Sequence, residues 1–204
     1  MKKNPLFAVI YMFIVTAICS TLLIGLARGT DAQIEANQQL DFEKAVLQVF
    51  PEITYTSDQE AHQIFLDQFR QSDQAGGAYI YRKDGQIAGY AVPISGKGFW
   101  ATISGIVGVG ADAKTVTGIS FYEQSETPGL GARIVDPEFR QQFKNLKLQN
   151  PPMPVDFRSP GQTLSAGQVH AISGATQTCM RVELFLNDDL AAWMESMKQA
   201  ESTP

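Results

Sequence analysis

The residues best suited to chemistry lie near the C-terminus, in the run Ile172-Ser173-Gly174-Ala175-Thr176-Gln177-Thr178. Gly174 and Ala175 carry almost no side chain, so a ligand can approach the backbone, and they lie between three hydroxyls, one of which can be esterified. Taken alone, Ser-Gly-Ala-Thr is equally the material of ordinary turns and helix caps. A second run lies about fifty residues upstream: Phe121-Tyr122-Glu123-Gln124-Ser125-Glu126-Thr127-Pro128-Gly129-Leu130-Gly131. Pro128-Gly129 is a turn pair and Gly131 permits another close approach, so this loop can lay its backbone and Leu130 against a flat ring. Glu126 and Thr127 would then offer a carboxylate and a hydroxyl to the polar edge of that ring. A plain turn between Tyr122 and a helix after Asp136 is the competing reading. Metal chemistry has little to work with. The two cysteines cannot build a disulfide framework or a metal cluster, since Cys19 lies in an apolar run, and His62 and His170 are isolated. Redox chemistry, if present, must therefore be carried by an organic cofactor.

These residues need elements to position them. Residues 6–27 form 22 positions without a charge, which at about 1.5 Å per residue can cross a hydrocarbon core of roughly 30 Å. The run is longer than the apolar core of a cleaved signal peptide, and the bulky Ile18 before Cys19 argues against lipoprotein processing. It is expected to be an uncleaved anchor. Lys2 and Lys3 precede it while only Arg28 follows closely, which keeps residues 1–5 in the cytoplasm and puts residues 28–204 outside. Those 177 residues suffice for one domain, and with 21 acidic against 14 basic side chains they make an unlikely surface for nucleic acid or anionic lipid.

Within the exported part, apolar spacing predicts a membrane-proximal helix over residues 32–50, opening after Thr30-Asp31 and stopping at Pro51. A short amphipathic helix follows at 60–69. The period then changes to two. Residues 78–82 and 86–92 flank the turn Lys83-Asp84-Gly85, and residues 103–109 and 115–122 flank a turn at 111–114, predicting two hairpins and an antiparallel sheet of at least four strands. Residues 136–143 read as a short helix with an aspartate cap and Pro137 in its first turn. The proline-rich stretch 150–167 reads as a surface excursion. A closing helix over 176–197 is expected to bury Met180, Leu184, Leu186, Leu190 and Trp193. The fold class is therefore α+β: an antiparallel sheet with flanking helices after one N-terminal transmembrane helix. Phe99 and Trp100 are expected in the core, and Asp73, Glu123 and Arg133 are read as solvated charges.

The closing helix begins at the Ser-Gly-Ala-Thr run. A helix N-terminus presents unpaired backbone N–H groups and a partial positive charge, which suits a phosphate. Ser173 and Thr178 can donate to phosphate oxygens, and Thr176 is placed where its own oxygen could be bonded to phosphorus. The alternative is that Ser173 merely caps the helix.

With these residues in view, the chain resembles the RnfG/NqrC family, the covalent-FMN subunits of ion-translocating membrane redox complexes. The resemblance runs from the N-terminal anchor through Gly98-Phe99-Trp100 and Glu126-Thr127-Pro128-Gly129-Leu130-Gly131 to Ser173-Gly174-Ala175-Thr176. It implies that Thr176 carries FMN through a phosphoester installed by a flavin transferase, with Ser173, Gly174, Ala175 and Thr178 around the phosphate and Glu126, Thr127, Leu130 and Gly131 walling the ring. It also implies an electron carrier with no bond-making on a substrate of its own, working with other membrane subunits of a complex that moves Na⁺ or H⁺. One departure stands out: where the family pattern places an aspartate, three residues before the serine, this chain has His170. That aspartate is part of what the transferase recognises, so the departure bears on the efficiency of flavinylation. Two other classes fit the residues: a stand-alone flavin carrier serving another reductase, and an interaction protein that has lost its flavin.

Overall fold

The computed structural model describes residues 5–202. By internal contacts the chain divides after Leu40 into two units. The first is helical, and its residues 6–39 are exposed. Helix α1 runs without interruption over Pro5–Gln48, and its N-terminal part is long and apolar enough to cross a membrane. The break expected at Thr30-Asp31 is absent. The Thr30 hydroxyl does not cap a new helix but donates back to the carbonyls of Leu26 and Ala27 at 3.1 and 3.0 Å, a bond that a mid-helix threonine can make without ending the helix.

The second unit is built on a five-stranded antiparallel sheet in the order β1-β2-β3-β4-β5. Its strands are β1 (Phe69–Gln71), β2 (Tyr79–Lys83), β3 (Gln86–Lys97), β4 (Thr102–Gly110) and β5 (Val116–Glu123). Both predicted hairpins are present. Asp84 and Gly85 take φ values of 52° and 79° at the first tip, the left-handed pair that a two-residue turn requires. The fifth strand, β1, follows helix α2 (Asp58–Gln68) directly. Phe69 continues the apolar face of α2, which is why the sequence pattern carries the helix one residue too far.

Both faces of the sheet are covered, which is why β4 is buried from Ile103 to Val109. On one face the last turns of α1, the turn that follows it and helix α2 bury Val46, Leu47, Val49, Phe50 and Phe65 against Tyr81, Ala91 and Ile106. On the other, helix α4 (Thr176–Ser202) buries Val182, Phe185, Leu186, Leu190 and Trp193 against Val92, Ile94, Val107 and Val109. The buried face of α4 is rotated from the expected one: Met180 and Leu184 are exposed, because the positions that meet the sheet are 182, 185, 186, 190 and 193. Where α4 crosses β3, Phe185 sits so close to Gly96 that a Cβ there would lie 2.4 Å from its ring-bearing carbon, and Asp189 accepts the Ser95 N–H at 2.9 Å.

The segment between sheet and α4 holds two further differences. Helix α3 spans only Pro137–Arg140 before a 3-10 turn at Gln141–Phe143, and the Asp136 side chain makes no capping bond; it pairs instead with Arg133 at 3.5 Å. The excursion at 150–167 contains β6 (Asp156–Arg158), which pairs in parallel with β7 (Gln168–His170). Three-residue strands carry no readable periodicity, so nothing in the sequence pattern announces this pair.

Candidate functional site

Helix α4 starts where the sequence placed its start. Ala175 supplies the first carbonyl of the helix, accepting from Cys179 N at 2.9 Å, so the N–H groups of Thr176, Gln177 and Thr178 have no acceptor within the helix. Gly174 turns the chain into it with φ 80°, a conformation that costs glycine little. Cys179 is buried and accepts the Ile172 N–H through its sulfur at 3.2 Å. Burial pushes its thiol up, so it ties the loop to the helix as an uncharged packing group.

The three motif hydroxyls have three different surroundings. Thr176 is exposed. Thr178 is buried, 4% exposed, and donates to Glu126 Oε2 at 2.6 Å. Ser173 is exposed on the rim of a separate cavity of about 380 Å³, lined also by Arg133, Asp136, Phe139, Gln142 and His170.

Glu126 ties the site together. It is 5% exposed, and its other oxygen, Oε1, accepts the backbone N–H groups of Phe99 and Trp100 at 2.8 and 3.1 Å. Two glycines make room for it: a Cβ at Gly98 would lie 2.6 Å from Oε1, and one at Gly131 would lie 2.8 Å from Oε2 and 2.4 Å from the Thr178 hydroxyl. Beside it the Trp100 indole N–H donates to the Thr127 hydroxyl at 3.0 Å, and the loop folds on itself through Leu130 N and Ala132 N to the Thr127 carbonyl, each 3.1 Å.

The result is an open groove of about 260 Å³ lined by Phe99, Glu126, Thr127, Leu130, Gly131 and residues 174–178. Eight of the nine residues named from sequence thus meet in one place, and Ser173 stands outside it. Glu126 is inward and engaged, so its carboxylate holds the walls in place of the expected contact to a ring edge. Phe99 and Trp100, expected in the core, are 45% and 66% exposed, with rings edge to face at 5.0 Å, and Phe99 lines the groove. The signal that could have found them is the break in apolar pattern between β3 and β4, where Gly98 precedes them and Thr102 follows.

An apolar wall, a row of helix N-terminal N–H groups and an exposed hydroxyl at the junction make a place for a flat ring carrying a phosphate. The comparison with known families agrees, since residues 98–191 match the family of the FMN-binding domain. This part of the chain is similar to an FMN-binding domain. Its homologues are the NqrC and RnfG proteins of ion-translocating complexes. The NqrC protein of the Na(+)-translocating NADH-quinone reductase of Pasteurella multocida is 37% identical over 57% of this chain and 44% of that protein. The RnfG protein of the ion-translocating oxidoreductase complex of Methanosarcina acetivorans is 28% identical over 82% and 83%. The chain spans less than half the length of the NqrC relatives it matches. In fold, it superposes on NqrC of Shewanella oneidensis with a TM-score of 0.69 at 20% identity, over 82% of this chain and 100% of that one. It superposes on the NqrC protein of Parabacteroides distasonis with 0.65 at 24% identity, over 79% and 94%. The fold is thus that of an FMN-binding domain, with one N-terminal apolar helix that fits a membrane-anchored protein.

Proposed function

We propose that Thr176 carries FMN through a phosphoester and that the chain is the flavin electron carrier of an ion-translocating oxidoreductase complex of Rnf or Nqr type. One observation carries the attachment site. Of the three motif hydroxyls, only that of Thr176 is both exposed and on the groove, because Thr178 is committed to Glu126 and Ser173 faces the other cavity.

The residues present fit the group. The N–H groups of Thr176, Gln177 and Thr178 and the positive end of α4 favour the phosphodiester charge. Gly174 leaves the approach open, with Leu130 Cδ2 3.1 Å from where a Cβ would stand. Phe99 and Leu130 offer apolar surface to the ring, and Thr127 and Gln177 offer polar groups at the rim. The groove is somewhat smaller than the roughly 300 Å³ at which small-molecule pockets begin and is open on one side, so part of the ring stays accessible to a redox partner. FMN supplies one- and two-electron chemistry; the protein anchors, orients and partly covers it.

In this reading residues 1–5 are cytoplasmic, 6–27 span the membrane and 28–204 form the extracytoplasmic domain, as the lysines before the span and the lone Arg28 after it favour. A flavin transferase on the outer side installs the group. His170, in the place of the family's aspartate, lies on the larger cavity with its ring bonded to the Gln162 carbonyl at 2.8 Å. It is therefore positioned to affect recognition by the transferase and stands apart from the flavin groove.

The test is in-gel flavin fluorescence and intact mass of the membrane-expressed chain, with and without a co-expressed transferase, for wild type, Thr176→Ala and Ser173→Ala. A denaturation-resistant adduct in wild type and Ser173→Ala that is absent from Thr176→Ala is expected. An adduct that persists in Thr176→Ala would overturn the assignment. Co-purification with multi-spanning subunits separates the complex-bound carrier from a stand-alone one.

A further inference from the structure

We propose that Glu126 is a positioning residue whose buried carboxylate clamps the Phe99–Trp100 wall to the first turn of α4, so that the flavin groove is set before any flavin is attached. The inference rests on the reading that this groove takes FMN. Three segments distant in sequence meet at one side chain: positions 99 and 100 through their N–H groups, position 178 through its hydroxyl, and the loop at 126–131 that carries the carboxylate itself. Each wall of the groove belongs to one of them.

The packing leaves a close-fitting place for the carboxylate. Glycine at 98 and at 131 leaves the space for the two oxygens, and neither position would admit a methyl group without displacing them. The carboxylate accepts three bonds from neutral donors, an arrangement that shares its charge among dipoles and resists exchange with water in a buried position. The Gln124 side-chain carbonyl fixes the base of the residue by accepting the Glu126 N–H at 2.7 Å. Glu126 and Thr176 therefore communicate through two residues of one helical turn. The hydroxyl that stands between them, Thr178, has its orientation set by Glu126.

A clamp differs from a ring contact in what its loss does to the unloaded protein. The experiment is amide hydrogen exchange on the full-length chain in detergent, without flavin, for wild type, Glu126→Gln, Glu126→Ala and Thr178→Val. In Glu126→Ala the amides of Phe99 and Trp100 should exchange at least about tenfold faster, as expected when a buried bond to a charged acceptor is removed. The amides of β3, β4 and the buried part of α4 around Leu190 should keep their protection and so report an intact core. Glu126→Gln, which retains one acceptor oxygen, should fall between. Thr178→Val keeps the bonds to Phe99 and Trp100 and should loosen the first turn of α4 more than the wall. If Glu126→Ala does not fold, Glu126→Gln and Thr178→Val decide the matter, and protection unchanged from wild type at 99, 100 and 179, the first amide bonded within α4, in both would overturn the clamp. In flavin-loaded protein, Glu126→Gln should shift the flavin midpoint potential and lower its fluorescence anisotropy. Loosened amides with both flavin readouts unmoved would make Glu126 a purely structural residue and also overturn the proposal. Failure of Thr176 to bear flavin would leave the exchange result standing, so the two readings fail separately.

Discussion

Replacing Gly131 with alanine tests how tightly the groove wall is packed. The new Cβ would stand 2.4 Å from the Thr178 hydroxyl, 2.8 Å from Glu126 Oε2 and 3.0 Å from Glu126 Cβ. All three distances are shorter than ordinary carbon contacts, and the neighbours are themselves buried and bonded. Overpacking of this kind costs about 1–3 kcal/mol. If the Thr178 hydroxyl is pushed off Glu126, a bond to a charged acceptor worth about 1.5–3 kcal/mol is lost as well. Against this, alanine restricts the unfolded chain and returns about 0.4–1 kcal/mol. The net loss should be about 3 kcal/mol, which for a domain of this size lowers the melting temperature by roughly 6–12 °C. The assay is thermal unfolding of the detergent-solubilised chain, followed by circular dichroism. Gly129→Ala is the control: Gly129 has φ 74° but nothing within 4 Å of its Cβ position, so only backbone strain of about 1–2 kcal/mol applies. If Gly131→Ala melts within about 2 °C of wild type, or shifts less than Gly129→Ala, the close packing inferred around Glu126 is wrong.

Asp112→Asn should lower stability near neutral pH and make it fall less on acidification. The carboxyl is held down to about 2: burial pushes it up, but the Thr115 hydroxyl, the N–H groups of Lys114 and Thr115, and the Lys147 charge outweigh this. A folded-state value below the unfolded one contributes stability above about pH 4 that is lost as pH falls toward about 2. Because the side chain is half exposed, the contribution is about 1 kcal/mol, so urea midpoints of wild type and Asp112→Asn should differ near neutral pH and converge as the carboxyl protonates. Asn187→Ala should cost about 2–4 kcal/mol in the same urea assay, since the buried amide accepts from Val155 N at 2.8 Å and donates to the carbonyls of Val155 and Glu183 at 2.7 and 2.9 Å. A loss below about 1 kcal/mol would mean that water takes over those bonds.

Much of the fold is legible in the sequence because its signals are local. Lys83-Asp84-Gly85 and Asp112 mark turns by their own chemistry, and the alternation around them needs no distant partner to be read. The start of α4 at Thr176 is legible for the same reason. What the sequence hides depends on partners far along the chain. The outward faces of Met180 and Leu184 follow from which side of α4 meets β3, and an apolar residue looks the same in sequence whether it faces sheet or solvent. Phe99 and Trp100 suit the core by residue type, yet their backbone N–H groups are held by a carboxylate 27 and 26 positions away, which turns the rings outward. The role of Glu126 is hidden likewise: an isolated acidic residue in a Pro-Gly loop reads as solvent-facing or ligand-facing, and only the tertiary fold brings three donors to it.

The contact between Gly96 and Phe185 gives α4 a fulcrum. A helix is stiff over a few turns, and Thr176 lies nine residues from Phe185, about 14 Å along the axis. Any side chain at position 96 would have to lift the helix off β3 at that point, and the displacement would be delivered, as a tilt, to the hydroxyl at the helix end. If Thr176 carries the flavin as proposed, the residues that set where it sits include a glycine that lines neither cavity, and a search for variants with altered flavin geometry can begin there, at the end of the central strand.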